Sequence, residues 1–241
     1  MEQKSNKTTV AEFYKRIVGQ RDSSLINQYV HEHYIPHSPM GRDGRESLFE
    51  MIEFLKTLPP PAETKSPVKR LIGDGELVII QLDISFMGKR MVVIDLFRVA
   101  DGLLAEHWDA VQEIAAENDL MTDGALIINS YADTDANQLL VSNFYRDVFE
   151  NHDTRLLNSY LTTDYIEHNL AERLDDYYHH SIKVHRIICE GDFVVVQSEY
   201  LKDSQSFALY DILRIENEKI AEHWSVQQAI PDVMPHTNGM L

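Results

Sequence analysis

The chain contains nearly the same eight residues twice, AEHWDAVQ at 105–112 and AEHWSVQQ at 221–228. A duplicated unit changes every later inference, so the first question is how far the duplication runs. FYKRIVGQRDSSLINQYVHEHYIPHS at 13–38 aligns with FYRDVFENHDTRLLNSYLTTDYIEHN at 144–169 without a gap. After a shift of fifteen residues, VKRLIGDGELVIIQ at 68–81 aligns with VHRIICEGDFVVVQ at 184–197, and the alignment continues to Glu-His-Trp. The fifteen residues come out of the middle: the first copy has PMGRDGRESLFEMIEFLKTLPPPAETKSP at 39–67 between its halves, the second only LAERLDDYYHHSIK at 170–183.

Each copy begins with helical patterning and ends in strands. Thr9 and Glu12 have capping-box spacing, and Phe13, Ile17 and Val18 then share a face, which predicts a helix over 9–18. Asp22 is placed to cap a second short helix carrying Leu25, Ile26 and Tyr29. Asp43 with Glu46 is placed to open a third, which the prolines at 59–61 stop. β-Branched runs separated by Gly-Asp-Gly, Met-Gly-Lys and Ala-Asp-Gly predict four strands at about 67–72, 77–86, 90–99 and 103–112. Helices followed by an antiparallel meander make an α+β unit. The expected division is a first domain over 1–115, a linker over 116–133 and a second domain over 134–241 that lacks the third helix.

With 241 residues and 44% hydrophobic side chains the chain can bury two ordinary cores. A balance of 39 acidic to 22 basic residues, net charge −17, repels phosphate backbones and anionic membranes, so nucleic acid and membrane are not expected partners. The single Cys189 allows no internal disulfide and reads as a small buried hydrophobe. The opening residues hold no apolar signal-peptide core, and no uncharged apolar run reaches about 18 residues. A cytoplasmic protein is the expectation.

Where the side chains point depends on the hairpin at 100–102. His107 and Asp109 share a face in any register, but a one-residue slip moves Asp95 to the other side. A three-residue loop with Gly102 left-handed pairs Val99 with Leu103 and sets Asp95 opposite His107; a two-residue Asp101-Gly102 turn pairs Asp95 with Trp108 instead. The first is expected, because it also gathers Val93, Phe97 and Ala105 into one apolar pocket lining. Trp108 and Trp224 then project from the opposite face with Ile94, Leu96 and Ile212, an apolar surface that the other copy is the economical element to cover.

Tyr-Ile-x-His after the second helix, Asp-Leu-Phe-Arg-Val, and Gly-x-x-x-Glu-His-Trp-Asp with Gln112 resemble the SnoaL-like polyketide cyclase group of the nuclear transport factor 2-like superfamily, and the closing Asn-Gly-Met-Leu resembles the tail of such proteins. The resemblance covers most of copy one and, less well, copy two. It implies two cone-shaped domains, each a curved antiparallel sheet wrapped around helices, joined through their sheets into an intramolecular pseudo-dimer. It further implies metal-free, cofactor-free acid/base catalysis of an aldol type, with Asp109 as the acid/base, Asp95 as its partner, and His107 and His37 lining the site. His168, Asp211 and His223 are the second-domain equivalents, and Ser225 is the departure.

The chemistry is consistent. Proton removal next to a carbonyl needs a base of suitable pKa and a donor for the enolate oxygen, and an apolar cone raises a carboxyl pKa by desolvation. Asp109 can equally be a solvated strand-end carboxylate, Asp95 a partner of Arg98 or Arg70, and His107 and His223 core histidines bonded to Asp95 and Asp211. A metal reading of His33 and His37 meets Pro36, which interrupts a helix through that spacing, and the second copy has Thr162 and Asp164 in place of His31 and His33. The expected function is an acid/base site in copy one acting on a small apolar carbonyl compound, with a binding protein or a purely structural pseudo-dimer as the alternatives.

Overall fold

The computed structural model describes residues 5–59, 66–115 and 120–241. Helix α1 (Asn6–Phe13) starts one turn earlier than the Thr9 capping box predicts: Ser5 Oγ accepts from Thr8 N–H, and Thr9 is buried within the helix. The helix then widens into a π-type turn over Tyr14–Val18. Asp22 caps a 3-10 turn, Ser23–Leu25, that leads into α2 (Ile26–Tyr29). The next residues form a strand that the sequence reading missed, β1 (Val30–Pro36). Helix α3 (Glu46–Thr57) follows with no side-chain cap, since Asp43 Oδ1 accepts from Gly44 N–H at 3.0 Å instead. It ends ahead of Pro59; Pro60 and Pro61, also read as its stop, lie outside the described residues.

Strands β2 (Val68–Asp74), β3 (Leu77–Phe86), β4 (Lys89–Ala100) and β5 (Leu103–Glu113) complete the unit. The sheet order is β1-β5-β4-β3-β2, with β1 parallel to β5 and the other pairs antiparallel. The second unit repeats this with α4 (Thr134–Phe144), α5 (Leu157–Tyr160), β6 (Leu161–Glu167), β7 (Ile182–Glu190), β8 (Phe193–Lys202), β9 (Gln205–Glu216) and β10 (Lys219–Ala229). Where the first unit has α3, the second has only a 3-10 segment, Leu174–His179.

Both faces of each sheet are covered, which is why MVVIDLFRV has no polar alternation. Val93, Phe97 and Val99 face inward onto Val10, Phe13, Ile17 and Ile52, closing the cone around its own helices. Ile94, Leu96, Trp108 and Ala110 face outward and meet Val195, Tyr210, Ile212, Trp224 and Val226 of the other sheet. The two cones therefore form a pseudo-dimer within one chain. Buried side chains of this size each stabilise by about 1.5–3 kcal/mol, so this shared core is a principal tie between the units. Its margin is reciprocally bonded: Val111 N–H donates to Gln228 Oε1 at 2.8 Å and Gln227 N–H to Gln112 Oε1 at 3.1 Å.

The repeated tryptophans have a repeated setting. His37 stacks on Trp108 with centroids 4.6 Å apart, and Arg186 of the other unit lies 4.2 Å from the same ring centre. His168 stacks on Trp224 at 4.5 Å, with Arg70 at 3.8 Å. Two groups that close must occupy opposite ring faces, so each indole sits between its own unit's histidine and the partner unit's arginine. The neighbouring acids complete the cluster, Glu106 bonding Arg98 and His37, and Glu222 bonding Arg214 and His168. Cys189 is buried, and that burial raises its thiol pKa to about 12. Among the described residues no helix is long and apolar enough to cross a membrane.

Candidate functional site

The β4–β5 hairpin brings the predicted acids together by a route that differs from the expected one. Asp101 and Gly102 form a two-residue turn with φ 53° and 77°, and Ala100 pairs with Leu103 and Val99 with Leu104. The extra residue comes later. Arg98 pairs with Glu106, leaving Ala105 as a bulge, and Asp95 falls opposite Asp109 rather than His107. The bulge reverses the parity of β5, so Leu104 and His107 both face the cone although they are three apart. Without it, this turn would send His107 and Asp109 outward. The second unit repeats the device at Ala221, with Asn217 and Glu218 at φ 51° and 58°. A left-handed Glu there costs about 1 kcal/mol, which the pairing around it offsets.

Inside the first cone, Asp95 is 5% exposed and Asp109 7%. His107 Nε2 lies 2.8 Å from Asp95 Oδ1, and its ring stacks on Phe97 at 4.6 Å. The hydroxyl of Tyr14, first residue of the π-type turn, donates to Asp95 Oδ2. Ser38 Oγ donates to Asp109 Oδ2 at 3.0 Å. Asp109 Oδ1 is buried with no partner among the described residues, and so is the hydroxyl of Tyr34.

The electrostatics follow from this burial. Desolvation raises the Asp109 pKa to about 6; the charge of Asp95 adds to it, while His107 and Ser38 pull the other way. Burial alone would lower the His107 pKa, but the hydrogen bond and charge of Asp95, with Asp109 behind them, leave it raised. Burial first, then nearby carboxylates, holds Tyr14 and Tyr34 protonated well above the usual phenol range.

His37 does not join this group. Its ring is on the Trp108 side of the sheet, bonded to Glu106 at 3.0 Å and to the Gly239 carbonyl at 3.0 Å, so it braces the unit interface instead of lining the cone. Val93 and Phe97 do belong to the inward core. His31 and His33 lie side by side in β1, and among the described residues no set of three or more His, Cys, Asp or Glu is placed to hold a metal ion.

The second unit closes the same framework on itself. His223 is fully buried, with Nε2 2.8 Å from Asp211 and Nδ1 2.9 Å from Glu167. Glu167 stands where the first unit has Pro36, and it also accepts from Tyr165 Oη at 2.8 Å and from Leu174 N–H at 3.0 Å. Against the burial that would lower it, two carboxylates raise the His223 pKa to about 10. Tyr145 Oη donates to Asp211 at 2.5 Å, and Ser225 Oγ is bonded by Asn169 at 3.0 Å. His168 mirrors His37, outside the network. A cavity of about 540 Å3 opens beside Glu167, and its wall includes Thr162, Tyr165, Arg173, Leu174 and Lys219. Leu174 belongs to the short segment that replaces α3.

Sequence reasoning missed Tyr14, Tyr34, Ser38 and Glu167. The tyrosines were in view, since Phe-Tyr and Tyr-Ile-x-His recur in both copies. Glu167 was the one acid at a repeat position occupied by a proline in the other copy.

Residues 10–107 match the family model of the SnoaL-like domain. Among solved structures, the putative polyketide cyclase IdmH of Streptomyces antibioticus is similar at 20% identity, over 45% of this chain and 93% of that one, with a TM-score of 0.38. An NTF2-like protein of unknown function from Cytophaga hutchinsonii is similar at 20% identity, over 46% and 95% of the two chains, with a TM-score of 0.39. A putative polyketide cyclase of Bacillus cereus is similar at 22% identity, over 44% and 74%, with a TM-score of 0.38. No curated protein matches the chain.

Proposed function

We propose that the first unit is a cofactor-free acid/base site that acts on a small apolar carbonyl compound, in a reaction of the aldol-cyclisation or isomerisation type. The reading rests on one observation: Asp109 is a buried carboxyl with its pKa raised to about 6 and one oxygen unpartnered among the described residues. Such a group is poised to take and return protons near neutrality. In the proposed step Asp109 removes a proton from the carbon next to the carbonyl, and the Tyr34 hydroxyl donates a hydrogen bond to the enolate oxygen. The enolate then collapses by reprotonation or by forming a carbon–carbon bond. The pair Asp95 and His107, tied to Tyr14, supplies a second proton carrier, with Val93 and Phe97 as apolar packing around the substrate. Asp95 and Asp109 are so little exposed that a ring-sized ligand reaches them only when the shell around them opens.

The test is α-proton exchange of small cyclic ketones and β-diketones in heavy water, followed by NMR. Asp109→Asn should slow enzyme-dependent exchange at least about a hundredfold, while Ser225→Ala leaves it unchanged. Exchange at the solvent rate across the panel, or equal rates in Asp109→Asn, overturns the reading. The cavity beside Glu167 favours a second role for the other unit, as a binding module without turnover, because Glu167 and His223 saturate one another. Ligand affinity there should be indifferent to Asp109→Asn.

A further inference from the structure

The tail after β10 returns to the first unit, and it does so with a sequence that repeats the linker. Met-Thr-Asp-Gly at 121–124 corresponds to His-Thr-Asn-Gly at 236–239, each ending on a left-handed glycine, φ 84° at Gly124 and 76° at Gly239. Each crosses to the other unit's Tyr-Ile-x-His. Gly124 is packed so closely on His168 and Glu222 that a Cβ would lie 2.7 Å and 2.2 Å from them. Gly239 offers its carbonyl to His37 Nδ1 at 3.0 Å.

The tail's other bonds converge on one short segment. Asn238 Nδ2 donates to the Pro36 carbonyl at 2.9 Å and to Asp43 Oδ1 at 2.9 Å, and His236 Nε2 donates to the Ser38 carbonyl at 2.9 Å. Residues 36–38 are thus gripped on their main chain from the second unit, and Ser38 is the residue whose hydroxyl reaches Asp109. We infer that His236 and Asn238 are positioning residues for the first unit's site: they fix the backbone of Ser38 so that its hydroxyl holds Asp109 in place.

The inference rests on Asp109 being the acid/base of the proposed function, and its geometric half can be tested apart from turnover. The groups bearing on Asp109 are Asp95 and His107 in its own sheet, Tyr34 in β1, Ser38 after it, Tyr14 from the π-type turn and Tyr210 from the partner sheet. Only Ser38 is held by the tail. A hydroxyl bonded to a carboxylate favours its charged form, so releasing Ser38 should raise the Asp109 titration midpoint by about one pH unit.

The experiment is a carbon-detected carboxyl titration of the full chain, with the Asp109 signal identified by its loss in Asp109→Asn. Asn238→Ala and His236→Ala should each shift the midpoint upward, and Ser38→Ala alone should reproduce the shift. The tail acts merely as a structural strap, and the inference fails, if both tail variants lower the melting temperature yet leave the midpoint where it is in the wild type. If the midpoint moves but Asp109→Asn still exchanges α-protons at the wild-type rate, the positioning stands and the catalytic reading fails.

Discussion

His107 and His223 occupy the same place in the two units, and carboxylates raise both against burial, but they differ in how many carboxylates bond them. His223 lies between Asp211 and Glu167, and its side chain is wholly buried; His107 has Asp95 on one nitrogen, with Pro36 where the second acid would stand. In the second unit every acid of the network is neutralised by a bond. In the first, the unmatched acid is Asp109, which accepts from Ser38 on one oxygen and has no hydrogen-bond partner among the described residues on the other. One framework gives a closed ion network when the carboxylate is on β6 and a buried, protonatable carboxyl when it is on β5.

The comparison can be broken most forcefully at the histidines. His223→Gln leaves Glu167 and Asp211 without their shared cation and should destabilise the protein by about 3–5 kcal/mol, whereas His107→Gln leaves Asp95 its Tyr14 bond and should cost clearly less, as urea unfolding would measure. The sign with pH is fixed by the shift. The His223 pKa rises from the ordinary 6.5 in the unfolded chain to about 10 in the fold, so its contribution is complete below about pH 6.5 and is lost as pH rises through 10. The gap between wild type and His223→Gln should close over that window.

Asp109 has the reverse sign for an acid. Its folded pKa of about 6 exceeds the unfolded 3.8, so ionisation destabilises the fold, and the penalty grows from pH 4 to 6 and is complete above it. Asp109→Asn should therefore stabilise the protein by about 3 kcal/mol at pH 8 and by well under 1 kcal/mol at pH 4. A stability difference from wild type that is the same at both pH values would remove the case for a raised pKa. The smallest effect separates the tryptophans. Trp224 Nε1 donates to the Asp123 carbonyl at 2.8 Å, while Trp108 Nε1 has no partner among the described residues. Trp224→Phe should cost about 1 kcal/mol more than Trp108→Phe.

Most of the fold was legible because duplication checks each reading twice. The meander, the inward Val93 and Phe97 and the outward Trp108 all follow from alternation, which is local. β1 was not legible: His-Glu-His-Tyr-Ile-Pro lacks an apolar alternation, and its pairing with β5 is parallel and distant. The hairpin register was misplaced because a bulge belongs to a pair of strands. The Asp-Gly turn gave the signal for a two-residue loop, and nothing local said that Ala105 would go unpaired. The family resemblance placed His37 at the site, yet the stacking offered by Trp108 and its bond to the Gly239 carbonyl of the tail hold it on the other face.

By itself, then, the sequence determined two α+β units and the tryptophan-bearing face that joins them, because periodicity and repetition are properties of the chain; the cone shape and the candidate set Asp95, His107 and Asp109 came from the family resemblance. The tertiary structure decided how those three converge, which tyrosines and serine attend them, and that Glu167 bonds His223 in the second copy. Those outcomes depend on which distant groups a side chain meets once water is excluded, and a single difference such as Pro36 against Glu167 decides whether the buried histidine beside it faces one bonded carboxylate or two.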